Sequence, residues 1–291
     1  MSSAQSPPSG PASGLPGGPR AHGSALVLFG LGFQQIGAAL AVLVFPVAGP
    51  VGMVALRLLL SAGVLWAIIR PRVRGLSAQS WRTAAAYGLV LAGMNVAFYL
   101  ALARLPLGTT VTLEILGPLT LSVIAGRKWL SVLWAATAFS GVAMIGWDPV
   151  TDLDPVGVGF ALLAAALWAA YILLTKRTGE QFSGLVGLTI GMTVGGIAVA
   201  PAAVVITGPA LFDPTILLVG LGVALLSSTL PYAMEMLALR RLSAGTFAIL
   251  LALAPAMAAV AGFLLLGQQL SIYALMGMAL VVTAAMGSVR S

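Results

Sequence analysis

Residues 101–118 read ALARLPLGTTVTLEILGP, and residues 238–255 read ALRRLSAGTFAILLALAP. Nine of the eighteen aligned positions are identical. They include Arg104 with Arg241, Gly108 with Gly245, Thr109 with Thr246 and Pro118 with Pro255, so the match extends beyond the abundant Leu and Ala. An offset of 137 in a chain of 291 residues predicts a duplicated unit.

Composition identifies the solvent of that unit. Hydrophobic residues make up 60% of the chain and charged residues 7%, against about 25% charged in a soluble globule. A run of roughly 20 apolar residues crosses the hydrocarbon core as a helix, and lipid tolerates only helices and closed barrels. The runs here are long and lack the alternation of strands, which predicts an all-α integral membrane protein. Ten spans are expected: 25–45, 53–69, 83–103, 109–125, 129–146, 157–174, 185–206, 215–239, 246–266 and 271–286. Pro, Gly or charge separates them, as in VAGPVG, RPRVRG, RLPLG, GRK, WDPVTDLDP, KRTGE, TGPALFDP and RRLSAG. Residues 1–23 hold five Pro and five Gly, a composition too poor in apolar surface to order itself, and are expected to form a disordered cytoplasmic tail. The apolar run that follows lacks an A-x-A cleavage site and is kept as the first span.

Charge sets the expected orientation. With the N-terminus cytoplasmic, Arg20, Arg70, Arg72, Arg74, Arg82, Arg127, Lys128, Lys176, Arg177, Arg240, Arg241 and Arg290 fall inside, twelve of the fourteen basic residues. Asp148, Asp152, Asp154 and Asp213 then lie outside, and the chain is N-in and C-in. The net charge of +7 reflects anchoring at anionic headgroups and does not call for nucleic acid. Trp66, Trp81, Trp129 and Trp147 sit at span ends as interfacial anchors. Five spans separate the two copies of the repeat, so the fourth and ninth spans run in opposite directions. Residues 24–148 and 155–288 are therefore expected to be two inverted five-helix repeats, an arrangement that suits alternating access around a site near the midplane.

Chemistry must come from polar groups within the spans, each of which costs a few kcal/mol at the bilayer centre. Glu114 lies midway along the fourth span, and Pro118 has no N–H for its carbonyl, so a carboxyl and a free carbonyl meet at one kink. Such a carboxyl exchanges a proton, binds an ammonium group, or rests protonated against a neighbouring helix. Asn95 and Tyr99, four apart on the third span, share a face. They either present amide and phenol to the ligand of Glu114 or bond between helices. In the eighth span Pro231 frees the carbonyl of Ser227 within LLSSTLPY, beside Tyr232. Glu235, in PYAMEMLAL, either lines the pathway or snorkels to Arg240 and Arg241. Gln34 in the first span, with Gln35 beside it, and Trp168 with Tyr171 in the sixth are further candidates. Arg57 either reaches a substrate carboxylate or snorkels to the outer headgroups. Pro255 is the counterpart hinge to Pro118 and Pro231, and GMTVG at 191–195 suits close helix packing.

Other classes lack their parts. The chain has no Cys, His22 is its single His, and no Asp lies within a span, so zinc, serine–histidine and paired-aspartate hydrolysis are disfavoured, and no metal or cofactor is expected. An assembly protein remains as an alternative that requires no cavity.

The runs ALRLLL, GMNVAFYLAL, LPLGTTVTLEILGPL, LPYAMEMLALRRL and PAMAAVAGFLLLG resemble the EamA-type drug/metabolite transporter superfamily, and within it the branch of bacterial threonine/homoserine exporters. The resemblance covers residues 25–288. It implies an exporter of small amino acids or related metabolites in the bacterial cytoplasmic membrane, exchanging a small zwitterion for protons, as a monomer or weak homodimer. It supports Asn95, Glu114 and Glu235 at matching positions. Members of the family often carry Glu where this chain has Ala254 and Gln268, so a proton relay falls on Glu114 and Glu235. A broad drug exporter or an uncoupled facilitator are the alternatives.

Overall fold

The computed structural model describes residues 19–126, 129–146, 153–239, 241–242, 247 and 250–290. Most of the N-terminal tail, Arg127, Lys128, Trp147, Asp148, Asp152, Arg240 and the start of the ninth span lie outside the described residues. Among those described, the chain is helical and contains no strand.

The helix α1, Pro19–Ile69, is 51 residues long and broken at Gly49, whose φ of 64° and ψ of 161° leave the helical region. Unbroken, it would run about 76 Å at 1.5 Å per residue, more than twice a bilayer's hydrocarbon thickness. Pro46 and Pro50 flank the break. The first two expected spans are thus the two legs of α1. The helix also begins at Pro19, inside the segment expected to be tail; proline's fixed φ and missing N–H suit a first helical position. Arg70, with φ 47°, ends it ahead of Pro71.

Next come α2 (Ala78–Leu102), α3 (Leu107–Glu114), α4 (Leu116–Gly126) and α5 (Trp129–Gly146). The second half holds α6 (Pro155–Gln181), α7 (Val186–Thr207), a 3₁₀ turn (Gly208–Phe212), α8 (Pro214–Ala224), a π turn (Leu225–Thr229) and α9 (Leu230–Leu239), then α10 (Ala254–Leu266) and α11 (Ile272–Arg290). Among the described residues, five helices are long and apolar enough to cross a membrane and four shorter ones are apolar, as in a multi-pass membrane protein.

Three expected spans are interrupted where proline removes a backbone donor. The fourth breaks into α3 and α4 at Ile115, next to the Glu114 carbonyl, to which Pro118 offers no N–H. The ninth turns at Ala252 and Leu253, and Pro255 lies in the first turn of α10. The eighth is α8, the π turn and α9 in succession, the wide turn absorbing the bond that Pro231 cannot make to Ser227.

Caps mark the ends. Asp154 and Asp213 each precede a proline and accept N–H bonds from the first turns of α6 and α8. Arg104 pairs with Asp154 at 2.8 Å. The Gln268 Oε1 accepts from the Leu107 N–H at 2.9 Å, capping α3 from beyond α10. Exposed Arg70, Arg72, Arg74, Arg82, Lys176, Arg177 and Arg241 crowd the opposite end.

Small residues bring the helices together. The Gly88 position abuts Gly191, and a Cβ on Gly195 would lie 2.7 Å from the Gly88 carbonyl, so GMTVG packs α7 on α2 as expected. Gly141 on α5 and Gly277 on α11 face each other, with added Cβ atoms 2.6 and 2.5 Å from the partner's carbonyl oxygen. In addition, α2 packs on α6, α7 on α1, α8 and α9 on α1, and α3 on α10.

Candidate functional site

Two polar clusters lie inside the apolar bundle. The first is built on Arg57, which is 6% exposed. Its Nε donates to Ser228 Oγ at 2.8 Å, its Nη2 to the Ser227 carbonyl at 2.8 Å, and its Nη1 to Tyr99 OH at 3.5 Å. The guanidinium also lies 5.7 Å from the centre of the Tyr99 ring. Arg57 therefore does not snorkel. A buried guanidinium needs partners, and the π turn supplies a hydroxyl and the carbonyl that Pro231 orphans.

Arg57 is in electrostatic range of Glu114 and of Tyr232. Among the described residues no hydrogen bond or ion pair engages the Glu114 carboxyl. Asn95 is 4% exposed and donates through Nδ2 to the Leu91 carbonyl at 2.8 Å, and Tyr99 is fully buried. The first leg of α1 closes this region through Gly37, where an added Cβ would lie 2.8 Å from that of Ser227. In the Gln34–Gln35 pair the buried member is Gln35, whose Oε1 has no partner among the described residues, while Gln34 is half-buried.

The second cluster is aromatic. Tyr87 OH donates to Tyr171 OH at 3.2 Å, with ring centres 5.3 Å apart and stacked. Tyr232 joins them, and Glu235 is in electrostatic range of all three phenols. These four side chains line a cavity of about 220 Å³ that reaches the α6–α7 connection at Gly184. Glu235 makes no ion pair among the described residues.

Trp168 stands apart from both clusters, packed with Ile115 and Ala252 at the interruptions of the fourth and ninth spans. The sequence reading thus divides. Arg57, Tyr99 and the region of Pro231 meet, with Asn95 and Glu114 near them; Tyr171, Tyr232 and Glu235 meet at the cavity. Ser228 falls within the LLSSTLPY run already singled out, whereas Tyr87, Thr175 and Thr178 were missed. Tyr87, Leu91, Asn95 and Tyr99 recur every four residues on α2, and Tyr171, Thr175 and Thr178 follow the same helical spacing on α6, so extending those stripes would have found them.

The EamA-like transporter family pattern matches residues 155–290. The threonine/homoserine exporters RhtA of Salmonella typhimurium and Escherichia coli K12 are each 36% identical over 266 residues, 90% of this chain and 90% of theirs. A chain of known crystal structure superimposes with a TM-score of 0.59 at 18% identity, covering 91% of this chain and 96% of that one, a likeness of fold alone.

Proposed function

This chain belongs to the EamA-like transporter family, on the branch of the threonine/homoserine exporters, and from that premise we propose that it exports small amino acids of the threonine/homoserine kind by proton-coupled alternating access. The observation that carries the reading is the set of ionisable and polar side chains, Arg57, Asn95, Tyr99 and Glu114, gathered inside an apolar bundle where two of its helices are interrupted. Such groups are expensive in a membrane and face a pathway or each other. Glu114 contacts the amine or a proton, Asn95 and Tyr99 orient the ligand, and Glu235 shares the proton traffic. Arg57 holds the ligand carboxylate once it leaves the π turn.

Two inverted repeats, residues 24–148 and 155–288, are the scaffold of this proposal. Helix pairing supports it: third with sixth span mirrors eighth with first, while second with seventh, fourth with ninth and fifth with tenth are pairs that a twofold axis maps onto themselves. The matching interruptions ahead of Pro118 and Pro255 support it too. The basic end is cytoplasmic in this reading, so the chain is N-in and C-in.

Export from cells loaded with threonine, homoserine and other amino acids, with and without a proton gradient, tests it. The Glu114→Gln protein is expected to reach the membrane and to lose the gradient-dependent part of export. Unchanged transport with unchanged gradient dependence would remove Glu114 from the mechanism, and leave an uncoupled facilitator as the alternative.

A further inference from the structure

The cavity at the basic end has a chemistry distinct from the Arg57 cluster. Its inner wall carries three phenols, of Tyr87, Tyr171 and Tyr232, and the carboxyl of Glu235. Thr178, also on the wall, is 5% exposed, and its hydroxyl has no partner among the described residues. The wall thus offers π faces, hydroxyl oxygens and one carboxyl. Such a wall suits the ammonium end of a zwitterion.

We infer that this cavity is a loading station for the primary ammonium group of an amino acid, separate from the Glu114 cluster. Glu235 is the counter-ion, the tyrosine rings face the cation, and the Thr178 hydroxyl accepts one of its N–H bonds. The volume of about 220 Å³ admits a small amino acid. The inference rests on the amino-acid reading of the pathway for its physiological ligand, but the recognition itself requires only an ammonium group.

The chain has no cysteine, so Thr178→Cys places a single thiol on the cavity wall. Labelling of that thiol by a small maleimide, in full-length protein in detergent, reads occupancy. L-threonine and 1-aminopropan-2-ol, which lacks the carboxylate, are expected to slow labelling at least threefold. The hydroxy acid 2,3-dihydroxybutyrate, which lacks the amine, is expected to leave it unchanged. Adding Glu235→Gln is expected to abolish protection by both amines. Gly179→Cys, also on the cavity wall and exposed, repeats the measurement if Thr178→Cys does not fold. Protection by the hydroxy acid as strong as by the amines, or protection that survives Glu235→Gln, would overturn the inference. Amine protection in a protein that exports no amino acid would uphold the station and reject the amino-acid export reading.

Discussion

Arg57 donates through Nη2 to the carbonyl oxygen of Ser227 at 2.8 Å, and Ser227 is the residue whose helical donor would have been the N–H of position 231. Pro231 supplies none. The arginine of one half of the chain thus satisfies a backbone group that a proline of the other half leaves open, across 170 positions of sequence. Together with the Ser228 and Tyr99 contacts, this ties the second leg of α1 to the π turn and to α2.

Replacing Arg57 by Gln is expected to lower the thermal midpoint of the purified protein, because the Ser227 carbonyl and the Ser228 hydroxyl lose a charged donor; each such orphan costs about 1–3 kcal/mol. Pro231→Ala restores an N–H that can serve the Ser227 carbonyl within the helix. The cost of Arg57→Gln is therefore expected to be smaller in the Pro231→Ala background, by about 0.5 kcal/mol or more. Thermal unfolding of the four proteins in detergent measures the difference, and strictly additive effects would show that the two residues do not share the carbonyl.

A second expectation concerns the break between α3 and α4. Pro118→Ala gives the Glu114 carbonyl its helical partner and lets the two segments join. Proline is about 3 kcal/mol worse than alanine inside a helix, so the variant is expected to be as stable as the parent or more so. If the break is a working hinge, export falls about tenfold, equivalent to about 1.4 kcal/mol of barrier. Wild-type export from a straightened fourth span would deny the hinge its role.

Much of this fold was legible because its signals are local. Pro118 and Pro231 each remove a specific donor, and the structure is interrupted at those places. Asp154 and Asp213 cap helices because Asp-Pro is written at each start. The first two spans read as two, though their helix is continuous apart from Gly49. The partner of the Ser227 carbonyl was not legible, since no periodicity links positions 57 and 227. Nor was Gln35 separable from Gln34: neighbouring residues point about 100° apart on a helix, and only packing decides which is buried. The aromatic cavity was half legible, with Tyr171, Tyr232 and Glu235 seen singly but their meeting with Tyr87 hidden in tertiary contacts.

Close packing gives a third expectation. An added Cβ on Gly117 overlaps the Ala165 carbonyl, whereas nothing lies within 4 Å of one on Gly159. Gly117→Ala forces α4 away from α6, and overpacking of this kind costs about 1–3 kcal/mol. Gly159→Ala, exposed within α6, is expected to be neutral or to gain up to about 1 kcal/mol from helix propensity. Yields and thermal midpoints of the two variants, measured side by side, decide the matter; equal behaviour would mean that the α4–α6 approach is looser than the structure has it.

The last expectation is the pH response of the Asp-rich end. The hydrogen bond from Arg104, with the Val156 N–H, holds the Asp154 carboxyl below the usual aspartate range. A group whose pKa is lower in the folded than in the unfolded chain contributes stability that is complete above its unfolded value, about 3.9, and is lost as pH falls through the folded value. Asp154→Asn keeps a competent helix cap and removes the charge. The midpoint difference between parent and variant is therefore expected to be constant from pH 5 to pH 8 and to shrink below about pH 4. Because the pair is partly exposed, with side chains 45% and 32% accessible, the difference is also expected to diminish in high salt. A difference that widens on acidification would mean that the folded protein raises the carboxyl's pKa, and would exclude the Arg104 contact as its determinant.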